Sequence, residues 1–210
     1  MPPADLYVLR IQWLPYLTLE ECRAAGAENC EDFLGRLQNG SLALDTAPGL
    51  TAPKRAALSF ALHGAALVPP VEALPLPQPT KPGLHEINQP TPEAPVLVTG
   101  NSEITLTVLT AVLATTVSPF YLLLVDTLGD TLDMALIYER FTPNRIAAAL
   151  AAVNLADLVR HHTLIIPGLA ADLQDPLAAA TGWLIRVGPV CALELPLFFG
   201  DYWQPPLAGC

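Results

Sequence analysis

Beyond Pro95 the chain alternates between two hydrophobic periods. Four short apolar runs, PVLVT (95–99), FYLLLVD (120–126), TLII (163–166) and WLIRV (183–187), have the length and two-sided apolarity of strands buried on both faces. Segments with apolar residues at helical spacing lie between them, near 103–116, 130–140, 143–159 and 176–181, with a last one near 191–199. Thr142-Pro143 offers an N-cap followed by Pro at the first helical position, and RIAAALAAVNLADLV continues from it. Strand and helix alternating through short links predict an α/β domain with a doubly wound, mostly parallel sheet and right-handed crossovers. Residues 1–66 read differently. A short strand or turn over Leu6–Trp13 precedes small helices near 18–26, 29–39 and 53–65, which together make a small, mainly helical N-terminal domain.

Between the two regions the pattern breaks. Nine Pro fall between Pro69 and Pro95, and such a segment cannot keep a helical hydrogen-bond ladder. Residues 67–94 are therefore expected to be an extended, semi-rigid linker, with the α/β domain over 95–205. A second feature invites a different reading. Ile104 to Val125 runs for 22 residues without a formal charge, long enough to span a bilayer. Ser118-Pro119 divides it, however, into a Thr-rich helical half and a strand-like half, and no basic cluster flanks it. It reads as core, with no membrane role.

Composition narrows the choices. Hydrophobic residues make up 52% of the 210 and charged residues 14%, which is ample for a buried core. Asp and Glu outnumber Lys and Arg 20 to 10, so phosphate backbones are repelled and nucleic acid is not an expected partner. The four Cys form no CxxC pair and are too few for a disulfide scaffold, and MPPADLYVLR lacks a basic leader region. A reduced, cytoplasmic setting follows as the expectation.

In open parallel sheets, ligands bind beyond the carboxyl ends of the strands. Each expected strand here runs into a short Gly-containing loop: Thr99-Gly100-Asn101-Ser102, Asp126-Thr127-Leu128-Gly129, Pro167-Gly168-Leu169 and Gly188-Pro189, with Cys191 just beyond. Gly at all four exits lets backbone approach closely and exposes N–H groups. The loops hold neutral hydrogen-bonding groups and almost no cationic charge, which suits a large, largely neutral ligand bearing amides better than a polyphosphate. Neither GxGxxG nor GxxxxGK[ST] occurs, so a flavin or nucleotide in the same crevice is the weaker reading. Each feature also has a plainer role. Any one Gly can be turn chemistry, Asp126 can cap the next helix, His161-His162 can be a solvated helix end, and Cys191 can be an apolar filler.

The runs PVLVTGNSEITLTVL, LLLVDTLGDTLDMA, FTPNRIAAAL, HHTLIIPGLAADL and TGWLIRVGP resemble, in order and spacing, the C-terminal corrinoid-binding domain of the large subunit of corrinoid iron–sulfur proteins, the gamma-subunit family of acetyl-CoA decarbonylase/synthase. The resemblance implies an α/β domain of Rossmann- or flavodoxin-like type whose strand-end loops hold one face of a cobalamin or related corrinoid. The positions so implied are Thr99, Gly100, Asn101, Thr127, Gly129, Pro167, Gly168, Gly188 and Pro189, and the loop reading adds Ser102, Asp126, Leu169 and Cys191. The DxHxxG motif that supplies a His ligand to cobalt is absent. Two positions depart from the family pattern: Ser102 stands where an aromatic is usual, and Val190-Cys191 follows Gly-Pro where Arg and a polar residue are usual.

The N-terminal region resembles the small domain of the same subunit that holds a four-iron cluster through CxxCGxxxC and a later Cys-Pro. In one register Cys22 and Cys30 remain while Ala25 and Ala47 occupy the other two ligand positions; in a second register Leu19 replaces the first Cys and Ala47 is still lost. Four thiolates normally hold such a cluster, so an iron–sulfur cluster is not expected, and Cys22 and Cys30 are remnant positions. The barrel that the family carries between these two ends is missing. The function implied is that of a corrinoid-binding methyl carrier or cobamide-handling accessory, with no catalytic residues of its own. It would act with a methyltransferase or other protein covering the corrin face, or as a homodimer. The alternative is a non-catalytic scaffold that kept the fold and lost the cofactor.

Overall fold

A computed structural model of the chain describes residues 11–66 and 77–206. Residues 6–10 of the expected first strand and residues 67–76 of the expected linker lie outside the described residues. The core is a five-stranded sheet: β1 (Gly83–Ile87), β2 (Val96–Gly100), β3 (Phe120–Val125), β4 (Thr163–Ile166) and β5 (Leu184–Val187). Its spatial order is β1-β3-β2-β4-β5; β1 pairs antiparallel with β3, and the other pairings are parallel.

Strand alternation sends side chains to two apolar layers. Val96, Val98, Tyr121, Leu123, Val125, Leu164, Ile166 and Ile185 face one layer. That side is covered by α5 (Leu132–Ile137), α6 (Pro143–Ala152), α7 (Leu155–Leu158) and α8 (Gln174–Thr181). Leu97, Phe120, Leu122, Leu124 and Ile165 face the other, under α4 (Glu103–Leu113), α9 (Leu195–Phe199) and Trp203. A sheet buried on both faces explains why its central strands read as continuous apolar runs. The uncharged stretch 104–125 is α4 plus β3, and among the described residues no helix is long and apolar enough to cross a membrane.

Two local differences from the expected elements have physical causes. The helix expected over 143–159 breaks into α6 and α7 at Asn154, which adopts the left-handed conformation (φ 49°) that Asn tolerates. The expected linker contributes an edge strand: Gly83-Leu-His-Glu-Ile is free of Pro and bounded by Pro82 and Pro90. Pro at the flanks is compatible with an edge position.

The N-terminal region folds as α1 (Leu19–Ala24), α2 (Cys30–Gln38) and α3 (Ala52–His63). Thr18 and Glu21 form a capping box on α1, while Asn29 caps α2 and Thr51 caps α3. These helices do not stand apart from the sheet. Leu197 of α9 belongs to their core, and Phe60 of α3 packs into the layer beneath β3. Glu194, buried just before α9, accepts hydrogen bonds from the Gln12 N–H (3.2 Å) and the Tyr16 hydroxyl (3.1 Å). Burial and that carboxylate push the Tyr16 phenol well above its ordinary range. Within the apolar run Leu195-Pro-Leu-Phe-Phe199 and the residues after it, Leu195, Leu197 and Trp203 are buried.

Candidate functional site

Strand order reverses between β2 and β4: the chain leaves β2 for β3 on one side and comes back to β4 on the other. The helix after β2 covers one sheet face and the helices after β4 cover the opposite one, the switch-point arrangement beside which open α/β sheets bind ligands.

The exits of β2 and β3 are tied together by Asn101. Its Oδ1 accepts the N–H of Thr127 (2.8 Å), the N–H of Gly129 (3.2 Å) and the Thr127 hydroxyl (3.1 Å). Its Nδ2 donates to the Thr80 carbonyl (2.8 Å) and to Asp126 Oδ1 (3.4 Å). Both ends of the amide are therefore occupied by the protein's own groups. A strap of the Pro-rich segment lies across this junction. The Thr80 N–H donates to the Asn101 carbonyl (2.8 Å), the Glu103 N–H donates to the Gln78 carbonyl (2.9 Å), and Pro79 bridges to Ser102. Asp126 Oδ1 closes its own turn by accepting the Leu128 N–H (3.0 Å). Thr99, Asn101, Ser102 and Thr127 are all buried.

The exits of β4 and β5 are zipped backbone to backbone. The Gly188 N–H donates to the Ile166 carbonyl (2.8 Å), and the Gly168 N–H donates to the Pro189 carbonyl (3.0 Å). The close approach permitted by the glycines is made by neighbouring chain. A Cβ on Gly168 would come within 2.7 Å of Val190 Cγ2 and 2.8 Å of the Val190 nitrogen, one on Gly100 within 2.8 Å of Thr127 Oγ1, and one on Gly129 would overlap Pro79 of the strap.

Apart from Asp126, the side chains that the edge turns to solvent are mainly apolar. Leu128 is 52% exposed, Leu169 46% and Val190 40%, one at each of the exits of β3, β4 and β5. Asp126 is also exposed, and Pro167, Gly168, Gly188 and Pro189 are partly so. Cys191 turns away into the layer with Leu193 and Leu195, where burial raises its thiol pKa. Nearby cations are engaged: Arg140 pairs with the buried Asp130 (2.6 Å), and Arg145 donates to the Asp126 carbonyl (3.2 Å). Thus the structure brings the expected loops to one edge, but hides most of their polar side chains and displays Leu128 and Val190. Those two were not among the expected contact residues. Their signal was an isolated aliphatic residue inside a turn sequence, D-T-L-G and G-P-V.

In the helical region, Cys22, Ala25 and Ala47 lie in one buried cluster, and Cys30 packs against it. Burial, together with the Cys30 thiol beside it, raises the Cys22 thiol pKa to about 12. Among the described residues, no three His, Cys, Asp or Glu side chains come together as a metal site.

The class of the fold is thus α/β, a mostly parallel five-stranded sheet with helices on both faces. Residues 74–198 match the family described as CO dehydrogenase/acetyl-CoA synthase delta subunit, and the chain belongs to that family. Among its relatives is the acetyl-CoA decarbonylase/synthase complex subunit gamma of Methanopyrus kandleri, 34% identical over 122 residues, which cover 58% of this chain and 26% of the relative. Another is the corrinoid/iron-sulfur protein large subunit of Moorella thermoacetica, 38% identical over 106 residues, 50% of this chain and 24% of the relative. The gamma subunit of Archaeoglobus fulgidus is 30% identical over 125 residues, 60% and 27% of the two chains. The chain spans about a quarter of the length of the curated relatives it matches.

Proposed function

We propose that this chain is a corrinoid-binding protein, a methyl carrier or cobamide-handling accessory acting with a methyltransferase that covers the exposed corrin face. The observation that carries this reading is the apolar rim of Leu128, Leu169 and Val190 at the carboxyl edge of a chain in this family. A corrin is broad, flat and largely apolar, so a rigid aliphatic rim fits one of its faces. The zipped loops 166–168 and 188–190 would keep that rim in place, and Leu169 and Val190 would exclude water from the face they cover. A corrinoid supplies a cobalt centre that takes up and gives back a methyl group, and the protein controls access to it. The strand order, with helices on both faces, supports the doubly wound reading. The Cys22, Ala25, Cys30 and Ala47 constellation supports reading the helical region as a cluster domain that has lost two ligands.

A second reading has its own observation. Asn101 and Thr127, the amide and hydroxyl best suited to a ligand's amides, are engaged internally, as in a scaffold that has kept the fold without the cofactor. One experiment separates the two. The purified chain is incubated with hydroxocobalamin or cob(II)alamin and desalted, and its visible spectrum is recorded. Corrin absorbance that travels with the protein near one equivalent is the expected result. Its complete loss on desalting for both forms would sink the carrier reading and leave the scaffold.

A further inference from the structure

The helical region carries a pair of thiols that the crevice does not use. Cys22 sits near the end of α1, closed off from solvent among Phe33, Leu37, Ala47 and Leu58. Cys30 opens α2, partly exposed and packed against the same cluster. The turn joining them is fixed in the reduced chain. Ala27 N–H donates to the Cys22 carbonyl (3.0 Å), Gly26 takes a left-handed φ of 79°, and the Arg36 guanidinium donates to the Gly26 carbonyl (2.7 Å). The two thiols meet at this cluster, within hydrogen-bonding reach of each other, and Cys30 is partly open to solvent. The third described cysteine, Cys191, is buried in a different apolar layer and does not compete.

We propose that Cys22 and Cys30 form a dithiol that closes to an intramolecular disulfide by exchange with a low-molecular-weight disulfide. The Cys30 thiolate attacks one sulfur of the external disulfide and expels a small thiolate, leaving a mixed disulfide on Cys30. Cys22, buried beneath the mixed disulfide, then attacks the Cys30 sulfur and passes its proton to the departing small thiolate, which leaves as the second small thiol. Two S–H bonds are replaced by one S–S bond, and the two electrons reduce the external disulfide to two thiols. A small dithiol reverses the reaction. The closed pair would tie α1 to α2 and stiffen the helical region against which α9 packs.

The test uses the full chain, reduced, freed of reductant, then treated with oxidised glutathione. Remaining thiols are alkylated, and the protein is digested with trypsin without reduction. Arg23 lies between the two cysteines, so a closed bond joins the peptide ending at Arg23 to Ala24–Arg36. The expected result is that linked pair, loss of both thiols to alkylation, and return of both after dithiothreitol. The Cys30→Ser variant should lose the link, whereas Cys191→Ala should keep it. Any of three outcomes overturns the proposal: both cysteines alkylated, glutathione persisting on Cys30 with Cys22 alkylated, or these cysteines joining separate chains. Iron co-purifying on the pair and blocking oxidation would overturn it as well. None of these outcomes bears on corrinoid retention.

Discussion

The two halves of the carboxyl edge are built on opposite plans. At the exits of β2 and β3, polar side chains are abundant, buried and bonded to one another and to the strap Gln78–Thr80. At the exits of β4 and β5, the backbone closes on itself and the side chains that remain, Leu169 and Val190, are aliphatic and exposed. The first half holds the edge together and exposes only Asp126 and Leu128 beyond that network, while the second offers an aliphatic surface on a backbone-closed frame. Residue type alone suggests the reverse, because Asn and Thr look like ligand-binding groups and Leu and Val look like core. A buried donor or acceptor must find a partner, and in the first half the partner is the chain itself.

This contrast can be broken from either side. The largest effect is expected from Asn101→Ala, which leaves the buried N–H groups of Thr127 and Gly129 without acceptors and frees the strap. Each such group costs on the order of 1–3 kcal/mol, so a loss of about 3 kcal/mol in urea denaturation is expected. A loss below about 1 kcal/mol would show that the network is not structural. Leu169→Glu and Val190→Glu test the other half. Their side chains are exposed, so stability should stay within about 0.5 kcal/mol of the parent. Corrinoid retention, measured by titration and desalting, should weaken about tenfold or more, since burying one aliphatic side chain is worth about 1.5–3 kcal/mol. Unchanged retention in both variants would move the site off this rim.

The smallest effect at neutral pH concerns the helical core. The Cys22 thiol titrates at about 12 in the folded chain against an ordinary value of 9.0, so the folded state holds its proton more tightly. Its contribution is complete below pH 9.0 and is lost as pH rises toward about 12. The urea midpoints of the parent and of Cys22→Ala should therefore keep a constant separation from neutral pH to about 9 and draw together above it. A separation that stays constant to the top of the range would mean that Cys22 does not titrate with folding.

Much of the frame was legible because periodicity reports burial directly. Strands β2 to β5 fall within about one residue of the apolar runs, and Thr142-Pro143 marks the start of α6. The edge strand β1 was not legible, since its pairing with β3 is a tertiary event and Pro dominates the composition around it. The break at Asn154 was hidden because the apolar spacing continues through it. At the candidate site the loops were legible and the roles of their residues were not. Whether Asn101 meets a ligand or Thr80 depends on where a segment twenty-one residues earlier comes to lie, which no local pattern encodes.

The strap bears on where this chain can be cut. A fragment begun at Pro95, where the apolar pattern starts, would lack both β1 and the Thr80 partner of Asn101. β3 would become an open edge with unpaired backbone groups, an invitation to strand-to-strand aggregation. A fragment begun at Pro77 keeps the edge covered and the junction clamped. The clamp on the sheet therefore begins inside the Pro-rich stretch, at Gln78–Thr80, ahead of the first strand.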